Sequence, residues 1–299
     1  MNFRSDLALE CREPIARQPE GLECGEELQG EVRVTRVRVT GEAGARAIGK
    51  PPGRYITIEA PPFGDSADVY GPAMECAARE LRALLPAEGT VLVAGLGNDG
   101  ITPDALGPRC CSMVLATRHL GGELAKSAGA AEQQDLRPVA CLTAGVLGRT
   151  GMESGELIAA AVRALEPAAV ITVDALAARR LARLGRTIQL ADSGIVPGSG
   201  VGNARKAITP RALGRPVISL GVPTVVDAAT LAFDLLELSG SALPEEQLRR
   251  SLEPHGEQMM VTPREVDLLI GRAARLLGMA INRALHPAWG VEAFLMMVG

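Results

Sequence analysis

From Pro72 onward, compact apolar runs alternate with stretches of helical periodicity, and this alternation limits the possible folds more than any other feature. Strands are predicted at Thr90–Ala94, Val139–Thr143, Ala169–Val173, Thr187–Leu190 and Val217–Leu220, with Asp174 ending the third. Ala73, Met74, Ala77, Leu81 and Leu84 fall on one helical face. Further helices are predicted over Ala105–Leu120, Glu153–Leu165, Thr224–Leu238 and Pro263–Leu285. Apolar strands buried on both sides and alternating with helices imply an α/β fold, a mostly parallel sheet with helices on both faces. Ahead of this block, Val32, Val34, Val37 and Val39 alternate with Arg33, Arg36 and Arg38. The alternation slips once, which predicts a half-exposed strand with a bulge. Tyr55–Glu59 reads as a second short strand and residues 41–54 as a loop, so an extra N-terminal hairpin or flap is expected.

Composition removes several classes of function. In 299 residues, 47% hydrophobic and 22% charged side chains describe a chain able to build its own core, not a disordered one. The net charge of −4 offers no basic field for nucleic acid, and 2% aromatic residues leave little for base stacking. The six cysteines form no Cys-x-x-Cys pair, and Cys110 and Cys111 are adjacent, which suits idle thiols in a reducing compartment. Arg4, Asp6 and Glu10 preclude a signal-peptide core at the start, and no apolar run approaches the ~18 residues that span a bilayer. A cytoplasmic protein with no membrane partner is expected.

Three polar loops, the first and third rich in glycine, follow apolar strands, where α/β sheets place their ligands. They are Gly95–Pro108, Asp174–Arg179 and Asp192–Asn203. The first contains Gly95, Gly97 and Gly100 in a G-x-G-x-x-G spacing, but Thr102-Pro103 reads as the helix start, which leaves Gly100 outside the helix. No acidic residue ends the next strand, and no Gly-Lys-Ser/Thr occurs, so no dinucleotide or other cofactor is expected. Asp104 and Asp174 are each ordinary alone, as a capping carboxylate and a turn residue. Together, at neighbouring strand ends, two carboxylates can share a proton and activate water. Asp192 is a third candidate, though Asp-Ser-Gly reads more simply as a turn. No serine sits in a G-x-S-x-G elbow. His119 reads as a helix-end residue, with a metal site shared with two Asp as the sharper alternative. Ser199 reads as a backbone-positioning residue. Amides of Gly97-Asn98 or of the Gly198–Gly202 loop are candidate oxyanion donors.

Arg4-Ser5-Asp6-Leu7-Ala8, Gly95-Leu96-Gly97-Asn98, Thr102–Pro108, Thr117–Leu120, Asp174–Arg179, Thr187-Ile188-Gln189, the Asp192–Asn203 loop, Gly221–Ala228 and Met260–Pro263 resemble, in order and spacing, the germination proteases of spore-forming bacteria. The resemblance implies an endopeptidase that degrades small acid-soluble spore proteins by an atypical aspartic mechanism. Asp104 and Asp174 would be its catalytic pair. It also implies a fold like the hydrogenase maturation proteases, a homotetramer made as a zymogen, and work in the forespore and spore core. No metal, cofactor or direct nucleic-acid contact is implied. Residues 1–6 would be a short propeptide and 7–299 one peptidase domain. The family's preference for cutting after an acid and before an aliphatic residue and Ala implies self-cleavage between Asp6 and Leu7. A cationic pocket from Arg179 or Arg205 would take the acid. Departures are the short propeptide, a stretch missing around Ser239–Gly256, Asp99 and Gly100, and Ala144 and Arg149. Asp99 is expected to raise the Asp104 pKa. Two other readings are a metal-recognising maturation protease and a non-catalytic binder of an acidic or DNA-associated spore protein.

Overall fold

Among the described residues, nine strands form one mixed sheet in the order β1-β2-β3-β7-β8-β6-β4-β5, with β9 added to β8. They are β1 (Leu22–Gln29), β2 (Val32–Val39), β3 (Gly53–Glu59), β4 (Val91–Leu96), β5 (Val139–Gly145), β6 (Ala169–Ala178), β7 (Thr187–Ala191), β8 (Val217–Asp227) and β9 (Met260–Val261). The computed structural model describes residues 5–13, 15, 19–63, 69–120, 136–201, 205–239 and 259–298. Residues 1–4 of the expected propeptide, Gly202 and Asn203 of the third loop, His255 and residues 240–256 of the shortened stretch lie outside the described residues.

The α/β architecture expected from the alternation is the one observed. β8, β6, β4 and β5 run parallel to one another. One face of the sheet is covered by α3 (Pro72–Leu84), α4 (Leu106–Cys111) and the long helix Val266–Leu285, which together bury the largest core. The helix Ser154–Leu165 covers the other face through Ile158 and Val162. The N-terminal strands are no detached flap. β1, β2 and β3 form an antiparallel meander, and β3 pairs antiparallel with β7, so the hairpin continues the main sheet.

The expected bulge in β2 is absent; its register is continuous against both neighbours. The alternation slips because the covered face changes along the strand. Val32 and Val34 pack into the core under α3, whereas Val37 and Val39 pack with α1 (Ala8–Arg12) and α2 (Glu42–Ile48) on the other side. Arg36, on the α3 face, is drawn to Glu80 at 2.6 Å. α2 itself occupies part of the expected 41–54 loop. The helix expected over Ala105–Leu120 is broken after Cys111. Asn282 of the long helix takes over the freed backbone, accepting from Leu115 N–H and donating to the Met113 carbonyl, both at 2.9 Å.

Candidate active site

Asp104 and Asp174 are brought together by a close approach of backbone to backbone. β4 passes into Gly97, whose φ of +101° is a left-handed value and where a Cβ would sit 2.1 Å from the Asp104 carbonyl oxygen. The chain turns through Asn98 into a short 3-10 turn at Thr102–Asp104. Asn98 N–H holds that turn, donating to Asp104 Oδ2 at 2.8 Å and to the Asp104 carbonyl at 3.1 Å. α4 then presses Gly107 onto the strands, where a Cβ would lie 2.2 Å from the Leu96 carbonyl and 2.5 Å from that of Val173. Val173 is the residue before Asp174.

β8 fastens the turn from its other side. Against β6 its register skips from Pro223 to Val225, leaving Thr224 as the extra residue. Thr224 Oγ1 donates to the Pro103 carbonyl at 2.8 Å, and Thr262 Oγ1 donates to the Thr224 carbonyl at 2.9 Å.

Asp174 does not end its strand. β6 continues to Ala178 and pairs with β8 over that length, but it pairs with β4 only as far as Val173. The Asp174 side chain is 6% exposed and accepts from Ala175 N–H at 2.9 Å. Burial holds its carboxyl well above the usual carboxylate range, and the charges of Asp104 and then Asp6 add to the effect. Asp104 is half-buried. Burial raises its pKa, and the hydrogen bond from Asn98 opposes the rise. Asp99 contributes nothing to that rise, contrary to expectation: it is exposed and paired with Arg149.

A third carboxylate joins them. Beyond Val173 the β4-facing edge of β6 is open, and the N-terminal segment takes it. Asp6 N–H donates to the Ala177 carbonyl at 2.9 Å, Ala177 N–H donates to Asp6 Oδ2 at 2.8 Å, and Ser199 Oγ donates to Asp6 Oδ1 at 3.1 Å. Leu7 is fully buried with Leu176, Ala178 and Val226. Asp6, Leu7, Ser199 and the two aspartates therefore share one neighbourhood.

Among the described residues, neither Arg179 nor Arg205 forms the expected cationic pocket. Arg179 is buried, its Nε donating to Asp234 Oδ1 at 2.7 Å and its N–H to Glu10 Oε2 at 2.6 Å, because a guanidinium out of water needs a carboxylate partner. Arg205 lies 3.7 Å from Glu153. Asp192 is structural, receiving Arg54 N–H and Nε at 2.6 Å each. Asn98 N–H is engaged by Asp104, so it is not the oxyanion donor expected there. His119 is exposed on a 3-10 turn, Arg118–Leu120, and is not joined to the two aspartates. Among the described residues no group of three or more His, Cys, Asp or Glu could hold a metal ion. Patterning singles out neither Lys50 nor Gln189, which border the same cavity as Asp6 and Ser199. Lys50 carries one faint mark, being one of three lysines in an arginine-rich chain.

The profile of the germination protease family matches residues 6–239. A germination protease of Caldanaerobacter subterraneus subsp. tengcongensis is 41% identical, covering 96% of this chain and 95% of its own. That of Clostridium perfringens strain ATCC 13124 is 39% identical over 97% of both chains, and that of Priestia megaterium 35% identical over 98% of this chain and 96% of its own. Among solved structures, the NiFe hydrogenase maturation protease HycI of Thermococcus kodakarensis KOD1 aligns over 68% of this chain and 98% of that one. With 16% identity and a TM-score of 0.34, that likeness says nothing about the site.

Proposed function

This chain belongs to the germination protease family, and we propose that it is an aspartic endopeptidase whose substrates are small acid-soluble spore proteins. The observation that carries the proposal is the pair itself: one buried carboxyl and one half-buried carboxyl whose charges oppose each other. Two such groups hold one proton between them. Asp174, buried and burdened by two negative neighbours, keeps it. Asp104, steadied as an anion by Asn98 N–H, is the base. Asp104 takes a proton from water as the water oxygen bonds to the peptide carbonyl carbon. The Asp174 proton moves toward the carbonyl oxygen and then, as the C–N bond breaks, to the departing amine. Asp104→Asn and Asp174→Asn are each expected to lower cleavage by at least about 10²-fold with circular dichroism unchanged. Near-normal turnover by either variant overturns the pairing.

The proposal includes a zymogen, with residues 1–6 removed by cleavage between Asp6 and Leu7 and residues 7–299 as the peptidase domain. The seating of Asp6 and Leu7 beside the aspartates supports it. N-terminal sequencing of fully active enzyme tests it, an intact residue 1 or 2 refuting the processing step. A homotetramer in the forespore and spore core completes the proposal on family membership alone, and light scattering tests the assembly. No helix among the described residues is long and apolar enough to cross a membrane.

A further inference from the structure

Two side chains without a task in the proton transfers grip the peptide group between Asp6 and Leu7. Lys50 Nζ donates to the Asp6 carbonyl oxygen at 3.1 Å and to the Ser5 carbonyl oxygen at 3.3 Å, and Gln189 Nε2 donates to the Asp6 oxygen at 3.3 Å. The orientation of the Gln189 amide follows from its other end. Its Oε1 accepts from Ala8 N–H at 3.0 Å and from Thr57 Oγ1 at 3.4 Å, so its NH₂ end must face Asp6. One buried amide thus spans the bond, reading the carbonyl of residue 6 and the N–H of residue 8. Both flanking side chains are seated, Asp6 by Ala177 N–H and Ser199, Leu7 against Leu176 and Val226. A cavity of about 530 Å³ opens beside Ser5 and Asp6 and is bordered by Lys50, Tyr55, Gln189 and Ser199. α2 ends at Ile48 and is capped by Gly49, so Lys50 enters this cavity from the loop after a helix and Gln189 from within β7.

We propose that Lys50 and Gln189 are catalytic residues, a two-donor clamp on the carbonyl oxygen of the bond being cut, with Asp6–Leu7 lying in the cleft as a substrate segment lies. The proposal rests on the reading of Asp104 and Asp174 as the water-activating pair. As the water oxygen bonds to the carbonyl carbon, the C=O π pair moves onto the oxygen. There the Lys50 ammonium and the Gln189 amide oppose the new charge by hydrogen bonding, and neither gives up a proton. When the C–N bond breaks, the pair returns to re-form the carbonyl and the amine leaves with a proton from Asp174. Separations of 3.1 and 3.3 Å to a neutral carbonyl leave room to shorten as charge develops, which favours the transition state over the ground state.

The test uses the full chain and a synthetic peptide with the sequence of residues 2–12, with products read by mass spectrometry. The rate of self-cleavage between Asp6 and Leu7 and the kcat for the peptide are expected to fall together by roughly 10²–10³-fold in Lys50→Met and Gln189→Glu, with KM little changed. Gln189→Glu keeps the acceptor for Ala8 N–H and the shape of the side chain, and Tm measured beside kcat separates a loss of fold from a loss of the donor: a merely structural role lowers Tm and leaves kcat of the folded enzyme at the wild-type value. Lys50→Arg, which keeps a donor, is expected to recover part of the loss; no recovery refutes the clamp. Rates within threefold of wild type in Lys50→Met and Gln189→Glu, while Asp104→Asn and Asp174→Asn are dead, overturn the clamp and leave the aspartic reading standing. A raised KM with unchanged kcat overturns it as well, reducing Lys50 to a binding contact. Active Asp104→Asn or Asp174→Asn removes the aspartic reading and the clamp with it.

Discussion

Replacing Gly107 by alanine tests whether the contact of α4 with the sheet sets the spacing of the two aspartates. The new Cβ would lie 2.2 Å from the Leu96 carbonyl oxygen and 2.5 Å from both the Leu96 nitrogen and the Val173 carbonyl oxygen. All three are main-chain atoms of strands buried in the sheet, so none can swing aside as the tip of a long side chain would. A Cβ needs at least 3.0 Å, so α4 must retreat by about 0.8 Å. Only Ala105 and Leu106 separate Asp104 from Gly107, and Asp174 follows Val173 directly. The retreat therefore carries one carboxylate away from the other. Displacement near 1 Å in a catalytic group costs on the order of 10²-fold in rate. Overpacking of this kind costs roughly 1–3 kcal/mol, a fall of several degrees in Tm for a domain of this size. The assay is kcat on the peptide of residues 2–12 alongside Tm by calorimetry. A Gly107→Ala enzyme that loses stability but keeps kcat within a few-fold of wild type would show that something other than this contact sets the spacing.

The Asp104→Asn/Asp174→Asn double variant should be no slower than the worse single variant, because the two carboxyls act as one unit; additive losses in kcat would separate their roles. Folding raises the Asp174 pKa, so the native state holds that proton more tightly than the unfolded chain does. Its contribution to stability is then full below the unfolded value near 3.9 and is lost as pH rises through the folded value. The urea midpoint should fall across that window in wild type and fall less in Asp174→Asn, and identical slopes would refute the burial argument. Arg179→Met should destabilise the fold by about 3 kcal/mol by leaving Asp234 buried without this partner, while KM of the folded enzyme stays put. A raised KM with unchanged stability would return Arg179 to the substrate pocket.

The parts of the fold that could be read from sequence are those where burial imposes periodicity. β4, β6 and β8 are covered on both faces, so their apolar middles stand out, and α3 shows its buried stripe. β1 leaves no such mark, since six of its eight residues are exposed at the sheet edge. The two aspartates were legible because each interrupts an apolar context, Asp104 within a glycine-rich loop and Asp174 directly after the apolar run Ala169–Val173. Arg179 was legible as a charge near the site but not as the partner of Asp234, since that pairing is made only when a distant helix folds back. Lys50 and Gln189 were illegible for a similar reason. Their meaning is a shared acceptor atom, and that atom belongs to a third segment of the chain.

The length of β6 shows why strand ends were misread and why the error matters. An aspartate after Ala169–Val173 looks like the start of a turn, yet the strand runs on to Ala178. The polarity that makes Asp174 a candidate site residue is what disguises the continuing strand. Had β6 stopped at Asp174, the sheet would have no open edge at the site. Because β4 lets go at Val173 while β8 holds β6 as far as Ala178, the edge groups of Ala177 face outward with no strand beside them. Main-chain donors and acceptors left in that position bind an extended peptide by adding it to the sheet. Asp6 already engages both groups of Ala177. Asp174 sits at the boundary between the paired and open parts of β6, three residues from that contact. In the proposed mechanism, the same strand thus supplies one carboxyl of the pair and the rail along which the bond is delivered to it.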